Sequence, residues 1–241
     1  MAKVIILSGA GISAESGIST FRDSGGLWNE YKIEDICSAG CMQKNRDKTI
    51  EFYDKRRVEL EDKQPNKAHR KIKKLKDKYP NDIAIITQNV DNLFEKAGCR
   101  DVLHLHGFMT SIYCEGCGYK EDIGYKKQRD AYNLCPKCKK DMLRPDVVFF
   151  GEQAPMYAKL FKEIDDCKFL VIIGTSGNLI NTDMFLNPKI KYSILNNLEE
   201  SDAINDNLYS KVLYKKASEA IDEIVEDVEK FCIEIEKKTY E

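Results

Sequence analysis

Val4-Ile5-Ile6-Leu7-Ser8-Gly9-Ala10-Gly11-Ile12-Ser13-Ala14 decides the fold class. Four consecutive apolar residues, three of them β-branched, predict a strand buried on both faces, as in a parallel sheet covered by helices. The run stops at Ser8-Gly9. The stretch from Gly9 to Ala14 fits the G-x-G-x-x-G/A pattern of a dinucleotide-binding turn, in the strand-to-turn context that gives the pattern meaning. In this reading Gly9 permits the tight turn and Gly11 lets backbone approach a pyrophosphate. Ala14 lets helix and strand pack closely.

Further apolar runs lie at Ile83-Ala84-Ile85-Ile86, Phe169-Leu170-Val171-Ile172-Ile173 and Tyr192-Ser193-Ile194-Leu195. Helical spacing of apolar residues marks 65–78, 155–166 and 217–237. Strands alternating with helices predict an α/β chain: a Rossmann-type parallel sheet with helices on both faces. Two stretches break the pattern and read as a small inserted helical and zinc-ribbon subdomain. They are a helical insertion at 34–78 and a zinc-binding module at 111–142. That leaves 1–33, 79–110 and 143–241 for the nucleotide-binding domain, with the ligand expected in the cleft between.

The second stretch carries Cys114-x-x-Cys117 and Cys135-x-x-Cys138. Each pair sets two thiolates on one tight turn, and two pairs complete a tetrahedral shell around one Zn²⁺. Four protein ligands close that shell, so the metal is structural and the chemistry lies elsewhere. Five further cysteines, Cys37, Cys41, Cys99, Cys167 and Cys232, are scattered. Met1-Ala2-Lys3 runs into the first strand without a secretory leader pattern. A cytoplasmic protein with reduced thiols is the expectation. The formal net charge is −2, so no global field points to nucleic acid or a membrane.

Thr87-Gln88-Asn89-Val90-Asp91 ends the second apolar run, where open α/β sheets bind ligands. An Asx helix cap needs one such polar residue, not three. Two of the chain's three histidines come next, in Val102-Leu103-His104-Leu105-His106-Gly107. His106, beside a glycine turn, is the general-base candidate. Ser16 to Arg22 continues from the glycine loop and brings Phe21 and Arg22 near the expected phosphates. The acidic residue expected about 20 positions after the glycine loop is displaced. Asn197-Leu198-Glu199 after the fourth run is its substitute, and a carboxylate there favours NAD over NADP.

In this order the glycine loop, Ser16-Gly17-Ile18, Phe21-Arg22, Thr87 to Asp91, His106-Gly107, the two Cys-x-x-Cys pairs, Phe150-Gly151-Glu152, Gly174-Thr175-Ser176 and Asn197 to Glu199 resemble the sirtuins over nearly the whole chain. The resemblance implies an NAD-dependent protein-lysine deacylase with NAD as co-substrate and one structural Zn²⁺. It implies His106 as the catalytic base. It places NAD against Gly9, Ala10, Gly11, Ala14, Glu15, Thr20, Phe21, Arg22, Trp28, Gln88, Asn89, Val90, Asp91, Gly174, Thr175, Ser176, Asn197, Leu198, Glu199 and Ala217. It sets Val148, Phe149, Phe150, Gly151 and Glu152 along a groove for an acylated-lysine peptide, paired by backbone hydrogen bonds. Partners are then acylated-lysine proteins rather than nucleic acid or membrane, and a monomer suffices.

Tyr53-Asp54-Lys55-Arg56 is similar to the Tyr-x-x-Arg pair of class III sirtuins, which prefer acidic acyl groups. At i and i+3 the two side chains share a helix face, where Arg56 can grip a carboxylate and Tyr53 can add a donor. The resemblance also makes Ala14 a small residue that widens the acyl pocket. Leu93-Phe94, where the family usually has Leu-His, and Leu179 to Thr182, where a proline is common, depart from the pattern. Competing readings are a general deacetylase, an NAD-linked dehydrogenase, an NAD-binding zinc-ribbon interaction module, and mono-ADP-ribosyl transfer as a minor activity.

Overall fold

The computed structural model describes residues 3–19 and 32–239. Its strands are β1 (Val4–Ser8), β2 (Ile83–Thr87), β3 (Val102–His104), β4 (Gly107–Cys114), β5 (Lys120–Asp122), β6 (Leu143–Val147), β7 (Phe169–Ile173), β8 (Tyr192–Asn197) and β9 (Lys211–Tyr214). Its helices are α1 (Gly11–Ala14), α2 (Ile33–Ile36), α3 (Cys41–Lys44), α4 (Arg46–Glu59), α5 (Lys67–Lys78), α6 (Leu93–Lys96), α7 (Gln128–Ala131), α8 (Tyr157–Ile164) and α9 (Ala217–Thr239).

Six strands form one parallel sheet in the order β3-β2-β1-β7-β8-β9. The chain winds outward from β1 to β3, then returns to β7 on the other side of β1. The order therefore reverses between β1 and β7, which opens a crevice at their C-terminal ends. Ser8 pairs with Thr87 on one side and Ile173 on the other, so three loops leave the sheet at one level.

Strand periodicity divides the core. Val4 and Ile6 face a layer built by Ala68, Ile72 and Leu75 of α5 and Ala220, Ile221 and Val228 of α9. Ile5 and Leu7 face the opposite layer, with Leu160 and Ile164 of α8. This is why β1 reads as an uninterrupted apolar run: both faces are covered. The expected parallel sheet with helices on both faces is present.

α5 departs from the sequence expectation. Placed in the insertion by its sequence position, it packs on the main sheet through its apolar stripe. A second sheet, β5-β4-β6, is antiparallel. It begins at Gly107 and ends at Val147, so it extends beyond 111–142 on both sides. A third apolar cluster joins α2 and α4 to the small sheet, where Ile36, Ile50, Phe52 and Tyr53 meet Met109, Val147 and Phe149. α4 reads as a charged helix, yet Arg57 is wholly buried there, donating to Asp54 and, at 2.9 Å, to the Met109 carbonyl. No described helix is long and apolar enough to cross a membrane.

Candidate active site

The glycine loop packs backbone against backbone. The Gly9 amide donates to Ile173 O at 2.9 Å, and the Gly11 amide to Gly174 O at 2.8 Å. A Cβ on Gly11 would lie 2.7 Å from Gly174 Cα, and one on Gly174, which has φ +65°, would lie 2.5 Å from Ile12 N. These glycines let two loops touch across the crevice, a need the sequence pattern had assigned to the ligand and the turn alone. Ala14 also departs from expectation. It is exposed, and Ile12 and Ser13 are the residues that α1 buries. Gly11 and the exposed Ala14 side chain are thus the small residues at the two ends of α1.

The cluster after β2 is tied to this loop. Asn89 Nδ2 donates to Gly9 O and to Ser13 Oγ, each at 3.1 Å. Ser13 Oγ donates to Asp91 Oδ2 at 2.9 Å, while Asp91 Oδ1 accepts the Leu93 amide at 3.1 Å. Gln88 Nε2 reaches Thr175 Oγ1 at 3.0 Å, and the Thr175 amide donates to Asn197 Oδ1 at 3.0 Å. Burial pushes the Asp91 carboxyl above its ordinary value, against the pull of its two donors. Residues at the C-terminal ends of β1, β2, β7 and β8 thus form one connected polar floor.

His106 stands at its edge, half-buried. Nδ1 lies 2.9 Å from the Gln88 carbonyl and Nε2 lies 2.9 Å from the Tyr157 hydroxyl. Burial lowers its pKa, opposed by the Gln88 carbonyl, so the neutral ring dominates near pH 7 and can accept a proton. Gly107 turns the chain at φ +95°, where a Cβ would lie 2.0 Å from Asp146 O. His104 instead bridges Asn89 O at 2.9 Å and Glu95 at 3.0 Å and is held in the packing.

Tyr53 is buried in the third cluster. Its ring stacks on Phe149 at 5.5 Å, and its hydroxyl donates to Cys37 Sγ at 3.4 Å. Burial drives the Cys37 thiol up to about 11, against the pull of the Tyr53 hydroxyl. Arg56 is only 15% exposed and pairs with Glu59 at 3.2 Å.

The 148–152 segment is committed differently from the expected groove. The Phe150 amide donates to Cys37 O at 2.7 Å and its carbonyl accepts the Ala39 amide at 2.8 Å, so its backbone has no rung left for a peptide. The Val148 amide is taken by His106 O at 2.9 Å. Glu152 grips Arg144 through two bonds of 2.6 and 3.0 Å and accepts the Phe149 amide at 2.9 Å. It shapes the segment from behind. Gly151 and the Phe150 side chain are exposed.

In the small sheet, the sulfurs of Cys114, Cys117, Cys135 and Cys138 lie within 4.8 Å of one another, with two pairs at 3.6 Å. A tetrahedron with Zn–S near 2.3 Å has edges of roughly 3.8 Å, so the four thiolates fit one structural Zn²⁺. A disulfide, at about 2.05 Å, does not describe them.

The Sir2 family model matches residues 9–181. The chain belongs to the Sir2 family. Among its relatives, the NAD-dependent protein deacylase of Campylobacter jejuni (strain RM1221) is 45% identical over 96% of this chain and 97% of its own. That of Helicobacter hepaticus is 38% identical over 97% and 100%. Two solved structures share the fold at 32% identity. One, a Sir2 homologue variant in complex with ADP-ribose, has a TM-score of 0.83 over 95% of this chain and 92% of its own. The other, a Sir2 homolog–NAD complex, has a TM-score of 0.82 over 94% and 89%.

Within this sirtuin, Gly9, Gly11, Gln88, Asn89, Asp91, Gly174, Thr175 and Asn197 converge on the crevice, and Ala10 and Ser176 sit in the same loops. Val90 turns partly into the third cluster. Leu198 and Glu199 are exposed beyond β8. The Glu15 carboxylate caps α9, accepting the Ser218 amide at 3.0 Å and its hydroxyl at 2.6 Å beside buried Ala217. This ties the loop after α1 to the start of α9. Thr20, Phe21, Arg22 and Trp28 lie outside the described residues. Tyr157 and Cys37 carry site contacts that sequence reasoning missed. Both sit among apolar residues and give no motif.

Proposed function

We propose that this NAD-dependent protein deacylase prefers acyl groups that end in a carboxylate, succinyl and malonyl above acetyl. NAD, when bound, supplies an electrophilic ribose carbon with nicotinamide as leaving group, so the acyl group ends on ADP-ribose and the lysine is freed. The polar floor of Gln88, Asn89 and Asp91 orients the nicotinamide ribose and its amide. His106 takes the proton of a ribose hydroxyl at Nε2. Acylated-lysine proteins are the substrates, without nucleic acid, in a cytoplasmic setting that keeps the thiols reduced.

The observation that carries the acyl preference is that Tyr53 is buried and Arg56, three residues on in α4, is only 15% exposed. A surface pair would be exposed and turned outward. Here both side chains lie largely under cover on one face of α4, and a distal carboxylate that reached Arg56 would gain a charge-assisted bond. Glu59 already holds one edge of Arg56 and must be displaced or bypassed. That contact favours the second reading, a general deacetylase.

The experiment is Arg56→Met, assayed on matched acetyl- and succinyl-lysine peptides. The clamp predicts a loss of succinyl turnover of tenfold or more, equivalent to at least about 1.4 kcal/mol, with acetyl turnover nearly kept. Equal losses on both peptides contradict it.

A further inference from the structure

Tyr157 opens α8, and its hydroxyl meets the nitrogen that the reaction needs. The Gln88 carbonyl can only accept, so Nδ1 of His106 carries the proton and Nε2 carries the lone pair. The hydroxyl 2.9 Å from Nε2 is therefore the donor. Ring centroids 5.9 Å apart at 50° show that the contact is hydroxyl to nitrogen rather than stacking. One lone pair accepts one strong hydrogen bond, so a ribose hydroxyl and Tyr157 compete for it.

We propose that Tyr157 is a positioning residue: its hydroxyl locks the Nδ1–H tautomer of His106 and holds the Nε2 lone pair until a ribose hydroxyl of bound NAD displaces it. This rests on the reading of His106 as the base. Tyr157 transfers no proton. Its phenol stays protonated, and burial raises its pKa. Among the described residues, the groups bonded to the imidazole are Gln88 from the end of β2 and Tyr157 from α8. The Asp91 and Glu95 carboxylates of the same region are turned to Ser13 and His104.

Histidine NMR tests this directly, since the chain has only three. In the NAD-free wild type, His106 must show Nε2 as the unprotonated nitrogen. A hydroxyl donating to the neutral ring holds its pKa down, so Tyr157→Phe raises the His106 pKa by roughly half to one unit. His69 keeps its titration and reports an intact fold. With NAD bound, wild type and variant converge on one His106 pKa. The acid limb of kcat/KM for NAD moves up with the free-protein value, and that of kcat stays, because the two report free and bound enzyme. An unmoved His106 titration in Tyr157→Phe overturns the proposal. So does an Nε2–H tautomer in the wild type, whether or not the variant folds. Full deacylation by His106→Ala overturns the general-base reading instead, and is read separately from the titration.

Discussion

The Ser13 hydroxyl donates to the Asp91 carboxylate at 2.9 Å, joining the glycine loop to the polar cluster that leaves the neighbouring strand. Asp91 is held by two donors, yet burial still raises its pKa. The charged form thus costs folding energy that the donors do not fully offset. A carboxyl whose folded pKa lies above its unfolded one loses stability as pH rises through that window.

Asp91→Asn removes that cost. We expect its Tm at pH 7 to equal or exceed the wild type, with the difference vanishing on acidification toward about pH 4, and deacylation to be lost. Thermal melts at several pH values read this. A lower Tm at pH 7 would show that the charge is net stabilising.

Gly11→Ala tests the loop-on-loop packing. Its Cβ meets the Gly174 backbone at 2.7 Å, and backbone cannot swing aside like a side chain. Overpacking of this kind costs about 1–3 kcal/mol, and the shift opens the crevice. The variant should melt lower and bind NAD more weakly by calorimetry. Wild-type values in both would remove the contact's significance.

His69 is buried against Phe94, with its pKa lowered to about 4 by desolvation and then by Arg70. A depressed folded pKa stabilises above the unfolded value near 6.5, and that stability is lost as pH falls through 4. The loss is about 3 kcal/mol. His69→Gln should flatten the denaturation midpoint between pH 6.5 and 4. A curve as steep as the wild type's would assign the acid sensitivity elsewhere.

Four converging thiolates predict one Zn²⁺ per chain by elemental analysis. Cys135→Ser should release it and collapse the small cluster formed by Ile112, Ile123 and Leu143, since structural zinc sites contribute folding energy outright. A zinc-free variant with an unchanged melt would contradict this.

The sheet was legible where strands are buried on both faces, because Val4 to Leu7 and Phe169 to Ile173 then have no polar alternation to hide them. β9 was not, being a four-residue strand at the sheet edge that begins with Lys211. The burial of Arg57 against Asp54 in α4 was not legible, because a sequence shows charges without their partners. The cysteine ligands and the cluster after β2 were legible because spacing and position carry the chemistry. Tyr157 was not, since a tyrosine on an amphipathic helix gives no sign that it reaches across to His106. The bidentate grip of Arg144 on Glu152 was not legible, since the two residues carry no shared motif.

The most direct measurement is nicotinamide release from NAD with matched acetyl-, malonyl- and succinyl-lysine peptides on the wild-type protein. Release is predicted with all three, fastest with succinyl and malonyl. Release fastest with acetyl would contradict the acyl preference, and no release with any peptide would contradict deacylation by this site altogether.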